Sequence, residues 1–337
     1  MKEEILRLLR EADGFVSGQQ LCEKLAVSRT AVWKAIGQLK NDGYEIEAVT
    51  NKGYRLLAVS SSDTLSRATI ESRLHTAWAG RTLICKDTTG STNDDAQTLA
   101  DKGYAHGTLV VAGSQTAGKG RRGRSWISPE DVNVYMSILL RPAMPASCAP
   151  MCTLVMALAV YEAMQEMEIP DNVSFGIKWP NDIVVSTDGS TYRKICGILT
   201  QMRMEDTEIR DVIIGTGINI NMTEIPEEIQ SSASSLKLAL GRRINRAALT
   251  ASCWNHFEED YEKFASAGSL APLAGEYEKA LVNVGRKVRV LDPKGEFTGT
   301  AGGITDTGEL IVRPDGSDND VYIGTGEISV RGVMGYV

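Results

Sequence analysis

The chain has 337 residues, 42% of them hydrophobic and 23% charged, with a formal net charge of −7. That length accommodates two or three domains with a sizeable core, and the composition excludes an intrinsically disordered chain. The acidic balance excludes a protein that coats nucleic acid generally, but leaves room for one small DNA-reading module.

The opening MKEEILRLLR carries acids and does not read as a secretory leader. Ile5, Leu6, Leu8 and Leu9 give a first helix one apolar face. Ser17 is placed to cap a second helix carrying Leu21 and Leu25. Ala26-Val27-Ser28 forms a short turn, and Ser28 caps a third helix from Arg29 to about Lys40. Val32, Ile36 and Leu39 fall at i, i+4 and i+7, so they point inward together. The outward face carries Arg29, Thr30, Trp33, Lys34 and Lys40, with no acid between Glu23 and Asp42. An acid-free, cationic second helix of a helix-turn-helix suits a major groove, with Ser28, Arg29, Thr30, Trp33 and Lys34 as candidate DNA contacts. YEIEAVTNKGYRL then reads as a hairpin, a wing tipped by Asn51-Lys52-Gly53, with Lys52 a further DNA contact. The bland alternative is a helical packing domain with solvated lysines. Residues 58–66, small and polar, read as a linker.

From about 67 to 280 strands and helices mix. Strands are expected at Leu109–Ala112, Val134–Leu140, Ile183–Val185 and Val212–Ile214, and helices at Asp94–Lys102, Met151–Met167 and Arg246–Phe264. The apolar run Met151–Tyr161 is too short to span a bilayer and is expected as a core helix. From about 283 the texture becomes all-β, with strands at Lys287–Leu291, Glu309–Val312, Val321–Ile323 and Ile328–Arg331. The turns expected between them are Asp292-Pro293-Lys294-Gly295, Asp306-Thr307-Gly308 and Pro314-Asp315-Gly316. Cys22, Cys85, Cys148, Cys152, Cys196 and Cys253 form no C-x-x-C pair, and three histidines supply no zinc pattern, so thiols in a reducing cytoplasm and no structural metal are expected.

The stretch GSQTAGKGRRGRSW, residues 113–126, is nearly a P-loop, but Gly120 stands where Ser or Thr should hold magnesium. Gly-Arg-Arg-Gly-Arg follows Lys119, and glycines break helices, so the helix that supports phosphates is missing and the P-loop reading fails. Four cations among regular glycines still favour an anion. Gly118, Gly120 and Gly123 permit close backbone approach, and Lys119, Arg121, Arg122 and Arg124 repel one another until a phosphate orders them. Trp126 can wall the site and stack on a base. A solvated basic loop is the alternative. Three further constellations point the same way. GSTNDDA puts Ser91, Thr92 and Asn93 between a strand and a helix, where a plain helix cap explains them equally well. KWPND sets Lys178 at a strand end. KICGIL places Gly197 on a strand, and GTGIN, Gly215–Asn219, closes another with a tight glycine turn.

Taken together, S-T-N, Q-x-x-G-[KR]-G-R-x-x-R-x-W, K-W-P-N-D, G-I-L and G-x-G-x-N resemble the biotin protein ligases. With the leading helix-turn-helix, the chain is similar to their bifunctional form, the biotin operon repressors. The resemblance covers essentially the whole chain. It implies a multidomain α+β fold: a winged helix-turn-helix (1–60), a class II synthetase-like α/β catalytic domain with a mixed sheet (67–282), and an SH3-like β-barrel (283–337). It implies two steps, biotin and ATP giving biotinyl-5′-adenylate, then transfer to a lysine of the biotin carboxyl carrier protein of acetyl-CoA carboxylase. Magnesium is expected with ATP, and Asp182 is a weak candidate ligand.

On this resemblance Lys178 and Arg121 are catalytic. Ser91, Thr92, Asn93, Gln115, Lys119, Gly120, Arg121, Lys178 and Gly197 bind biotin. Gly118, Lys119, Arg121, Arg124, Trp126, Asn219 and Arg331 bind the nucleotide. Many relatives carry Arg where this chain has Lys119, which keeps the charge and loses the bidentate fork. The adenylate is expected to act as corepressor, favouring a homodimer through sheet edges on a palindromic operator, in a cytoplasmic protein with no membrane partner. Two other readings stand beside this one: a regulator whose α/β domain only senses a ligand, and a lipoate ligase sharing the core fold.

Overall fold

The first three helices form where their caps and apolar spacing place them: α1 (Lys2–Glu11), α2 (Gly18–Leu25) and α3 (Arg29–Asn41). Ser17 builds a full capping box with Gln20, and Ser28 Oγ accepts the Ala31 N–H at 3.2 Å. Ala26 takes the left-handed conformation, φ 54°, which turns the chain between α2 and α3. The computed structural model describes all residues except 13, 42–43, 58–62, 293–294, 325–327 and 334–335, and the side chains of Glu3 and Arg10. It divides into two units, Met1–Arg73 and Leu74–Val337.

In the first unit Leu21, Val32, Ile36 and Leu39 bury against Ile5 and Leu9. The hairpin β1 (Ile46–Val49) and β2 (Gly53–Leu56) completes it, paired from Ile46–Leu56 to Val49–Gly53. Ser28, Arg29, Thr30, Trp33, Lys34 and Lys52 are all exposed, and the Trp33 indole, 68% accessible, lies outside the core. One boundary moves. A short helix α4 (Arg67–Glu71), which the sequence reading gave to the central domain, belongs to this unit. Ala68 lies in its core with Tyr44 and Ile46, and the Tyr44 hydroxyl donates to Glu71. Of the expected linker, residues 58–62 lie outside the described residues, and Ser66 caps α4.

The second unit runs β3 (Leu83–Thr89), α5 (Thr92–Asp101), β4 (Thr108–Gln115), β5 (Val134–Leu140), α6 (Met151–Gln165), β6 (Ser174–Lys178), β7 (Asp182–Ser186), β8 (Arg193–Glu205) and β9 (Glu208–Ile218). Helices α7 (Leu236–Leu240), α8 (Arg246–Ala267) and α9 (Ala274–Ala280) follow. The seven strands form one mixed sheet, ordered β3-β4-β5-β9-β8-β7-β6, with only β3 and β4 parallel among its neighbours. α5 seats Ala96 and Ala100 on Val110, Leu139 and Ile213 of one face. α6 lies on the opposite face, where Thr153 donates to Thr200 at 2.7 Å, because side chains alternate along β8. The apolar segment is longer than the sequence reading allowed. Ala146–Gln165 is 20 residues, enough by length and composition to cross a bilayer, yet 72% of its most apolar window is buried inside the protein. It is the core helix of this unit.

Five further strands, β10 (Lys287–Leu291), β11 (Phe297–Ile304), β12 (Leu310–Pro314), β13 (Val321–Ile323) and β14 (Ser329–Gly332), pair antiparallel in the order β13-β12-β11-β10-β14. Turns fall at Asp306-Thr307 and Asp315-Gly316 as expected, while Pro293 and Lys294 of the first expected turn lie outside the described residues. The small sheet is packed into the same unit as the large one. Trp179, fully buried just beyond β6, donates its indole N–H to the Gly308 carbonyl at 3.0 Å and its backbone N–H to Asn283 Oδ1 at 2.9 Å.

Candidate functional site

Cross-strand register places Asp182, Gly197, Gly217 and Tyr135 in one row across β7, β8, β9 and β5, with Leu199, Gly215 and Ser137 in the next row on the same face. The three glycines make this face bare backbone, and neighbours lie directly on it. A Cβ at Gly217 would stand 2.5 Å from Trp126 Nε1, and one at Gly197 2.8 Å from the same ring. A Cβ at Gly215 would collide with the Asn93 amide. GTGIN is therefore no turn, as the sequence reading had it. Gly215–Ile218 continue β9, and the glycines serve close approach.

A polar pole and a cationic pole meet over this floor. Ser91 occupies the N-cap position of α5, but its side chain makes no cap hydrogen bond and faces the cavity, so capping does not account for it. Thr92 donates its N–H to Gln115 Oε1 at 2.9 Å. Ser137 Oγ lies 2.7 Å from both Thr92 Oγ1 and Asn93 Oδ1, and Asn93 donates to Gln201 at 2.7 Å. These bonds fix the amides and hydroxyls before any ligand arrives, as a site for a small polar head group requires.

At the other pole Lys119, Gly120, Arg121 and Lys194 line the cavity. Lys119 pairs with Asp94 at 2.6 Å, and Arg121 donates to Asn181 Oδ1 at 2.9 Å. Lys194 stands 5.1 Å over the Trp126 ring and forms an ion pair with Asp182 Oδ1 at 2.5 Å. The loop closes on itself through the Gly120 N–H to the Arg124 carbonyl, 2.7 Å, with Arg122 (φ 59°) and Gly123 (φ 70°) left-handed. Only a single 3₁₀ turn, Arg121–Gly123, follows Lys119, so the phosphate-supporting helix of a P-loop is absent here.

The cavity thus brings together Ser91, Thr92, Asn93 and Gln115 with Lys119, Gly120, Arg121, Trp126 and Gly197. Others stand apart. Gly118 is packed beneath the loop, 2.5 Å from the Trp126 carbonyl by its missing Cβ, and Arg124 and Arg331 are exposed outside the cavity lining. Asn219 is buried and spent on structure: it donates to the Ser234 carbonyl at 3.1 Å and accepts from Asn133 at 3.4 Å. Lys178 is buried at the end of β6. Its ammonium donates to the Val330 carbonyl at 3.1 Å and sits 4.5 Å from the Tyr336 ring. Burial lowers its pKa to about 8 despite the attraction of Asp182. Asp182 does not fit a magnesium ligand. One oxygen faces Lys194 and the other accepts from the Tyr336 hydroxyl at 2.6 Å, and no group of three or more metal-ligating side chains occurs among the described residues. Burial raises its pKa, but Lys194 and Lys178 outweigh burial and hold it below the ordinary carboxylate range.

Sequence reasoning missed Lys194, Tyr135 and Asn181. Lys194 is the important one, and the reason is a bulge. Strict alternation puts residue 194 on the face opposite Gly197. The register along β7 slips, pairing Ile183 with Cys196 but Val184 with Lys194. The extra residue returns Lys194 to the cavity face.

Comparison with known proteins agrees with this architecture. Residues 2–55 match an HTH domain, 86–219 the biotin/lipoate A/B protein ligase family, and 284–331 a biotin protein ligase C terminal domain. The fold is similar to the biotin protein ligase from Aquifex aeolicus in complex with biotin and ATP, with a TM-score of 0.62 and 31% identity over 75% of this chain and 99% of that one. The bifunctional ligase/repressor BirA of Escherichia coli (strain K12) is 30% identical over 97% of this chain and 96% of its own length. That of Bacillus subtilis (strain 168) is 38% identical over 96% and 97%. Three matched domains in this order, and identity running the length of both chains, leave one conclusion: the chain belongs to the biotin protein ligases of the bifunctional ligase/repressor type.

Proposed function

We propose that this chain activates biotin with ATP and transfers it to a lysine of the biotin carboxyl carrier protein of acetyl-CoA carboxylase, and that it represses biotin synthesis genes with biotinyl-5′-adenylate as corepressor. The observation that carries the enzymatic half is the two-pole cavity. The hydroxyl of Ser91 and the pre-bonded set of Thr92, Asn93, Gln115 and Ser137 suit the ureido head, and the cations Lys119, Arg121 and Lys194 at the other pole suit a carboxylate and a phosphate.

In the first step a carboxylate oxygen of biotin bonds to the α-phosphorus while the bond to the β-phosphate breaks and pyrophosphate leaves. Both reactants are anionic. Lys178 and Arg121, with Lys194 beside them, offset their repulsion and the charge that grows on the α-phosphate. Trp126 supplies the aromatic surface for adenine, and the ligand's phosphate gathers Lys119, Arg121, Arg122 and Arg124 and orders their loop. In the second step the carrier lysine's amine attacks the acyl carbon, AMP departs, and the amine loses a proton to solvent. No protein nucleophile is needed. Lys178, at the end of β6, keeps the catalytic place together with Arg121, and Lys194 lines the cavity as a further cation.

Pyrophosphate release that requires biotin, is not supported by lipoate, and falls by orders of magnitude in Lys178→Ala and Arg121→Ala is the expected result. Release with lipoate alone moves the chain to lipoate ligation, and biotin binding with no release leaves a ligand-sensing repressor. For repression, α3 and the Lys52 wing enter the operator, and a ligand-promoted homodimer sets two such helices on a palindrome. The chain works in the cytoplasm, where its substrates and operator are.

A further inference from the structure

We propose that Ser137 and Gln201, which stand behind the cavity and outside its lining, are positioning residues that fix the direction of the hydrogen bonds at the head-group pole and so make Thr92 an acceptor for a ring N–H. The inference rests on the biotin ligase reading above and deepens it to what the pole demands of the head group.

The direction of each bond follows from counting protons. Asn93 Nδ2 faces two acceptors on β8, Gln201 Oε1 at 2.7 Å and the Leu199 carbonyl at 3.5 Å. A backbone carbonyl only accepts, so the amide nitrogen is turned to β8 and Oδ1 is left for β5. There Ser137, fully buried, places its Oγ 2.7 Å from Asn93 Oδ1 and 2.7 Å from Thr92 Oγ1. Ser137 has one hydroxyl proton for two close neighbours. Asn93 Oδ1 has none to give, so the Ser137 proton goes there, and the Thr92 hydroxyl donates its own to Ser137. The Thr92 proton is thereby committed inward. Gln115 Oε1, 3.2 Å from Thr92 Oγ1, is held instead by the Thr92 backbone N–H at 2.9 Å. What Thr92 Oγ1 presents to the cavity it lines is lone pairs.

A cyclic urea meets that demand, because each ring nitrogen carries an N–H. The dithiolane of lipoate carries none and leaves a buried oxygen unpaired, which is how a polar pole rejects an apolar ring. Without the Ser137 hydroxyl, the Thr92 proton can turn to Gln115 or into the cavity, and the pole no longer selects for a donor.

Calorimetric titration of biotin into the ligand-free protein tests this. Ser137→Ala is expected to weaken biotin binding on the order of ten-fold, the scale of one buried hydrogen bond. In a Thr92→Val background, which lacks the hydroxyl being ordered, the same change costs nothing further. In turnover the loss falls on the KM for biotin rather than on kcat, since the reacting carboxylate lies at the other pole. Gln201→Ala weakens biotin in the same direction, and Gln201→Glu, whose carboxylate accepts the same Asn93 bond, recovers it. Unchanged affinity in Ser137→Ala, a full loss from that change in the Thr92→Val background, or no recovery in Gln201→Glu overturns the proposal. A wild-type protein that binds biotin but releases no pyrophosphate refutes the ligase reading instead, and the affinities then decide the roles of Ser137 and Gln201 alone. A wild-type protein that binds no biotin refutes both.

Discussion

Lys178→Met tests the burial of this lysine through stability. Lys178 is 6% exposed, and burial brings its pKa from the ordinary 10.5 to about 8. In the unfolded chain it keeps its proton to the ordinary value. Below pH 8 both states are protonated, and the folded state bears the full penalty of a buried ammonium. Between pH 8 and 10.5 the unfolded state binds more protons, so stability rises with pH across that window. At about 1.4 kcal/mol per pH unit, the rise attributable to Lys178 is on the order of 3 kcal/mol. Buried tyrosines and cysteines oppose it. Burial pushes Tyr135, Tyr261 and Cys152 up, so the unfolded state loses their protons first and stability falls as pH climbs past their ordinary values. The difference between wild type and Lys178→Met cancels those groups and isolates the lysine. Urea denaturation of both proteins at intervals from pH 7 to pH 10.5, followed by tryptophan fluorescence, gives that difference. It should climb through the window in the wild type and be flat in the variant. A flat difference would mean that Lys178 is solvated in the folded protein and refute the burial argument. Because Lys178 is the catalytic lysine, its replacement is also expected to abolish most of the biotin-dependent pyrophosphate release.

Gly217→Ala places a methyl 2.5 Å from Trp126 Nε1 without backbone strain, so the indole is displaced from the cavity floor. Calorimetric affinity for biotinyl-adenylate should fall about ten-fold or more, about 1.4 kcal/mol, with circular dichroism unchanged. For the DNA-reading face, Lys34→Ala should weaken operator binding and lower the slope of log K against log salt by about 1, measured by titration at several salt concentrations. An unchanged slope would remove Lys34 from the phosphate contacts.

Much of the architecture was legible because it is local. The cap at Ser17, the turn at Ala26 and the inward row Val32, Ile36 and Leu39 require only neighbours in sequence, and the structure forms them as expected. β11, FTGTAGGI, went unread. Phe297, Thr298, Thr300 and Ile304 favour a strand, but three glycines interrupt them and blur the period-two pattern, and its pairing with β10 and β12 is what makes it one. α4 was misassigned because five residues with good caps do not say which core they join.

The sequence by itself determined the chemical inventory of the site: hydroxyls and amides at the start of α5, cations among glycines after β4, and an indole at 126. Those are properties of residue type and short-range spacing. Only the tertiary structure decided which side chains reach the cavity. The bulge between Cys196 and Lys194 turns one lysine inward, and the Val330 carbonyl and Tyr336 ring hold Lys178. Asn219 is consumed by Ser234 and Asn133, and Gly215 and Gly217 proved to be floor. A side chain's direction depends on strand register and on partners far away in the chain, and neither is set by the residues beside it.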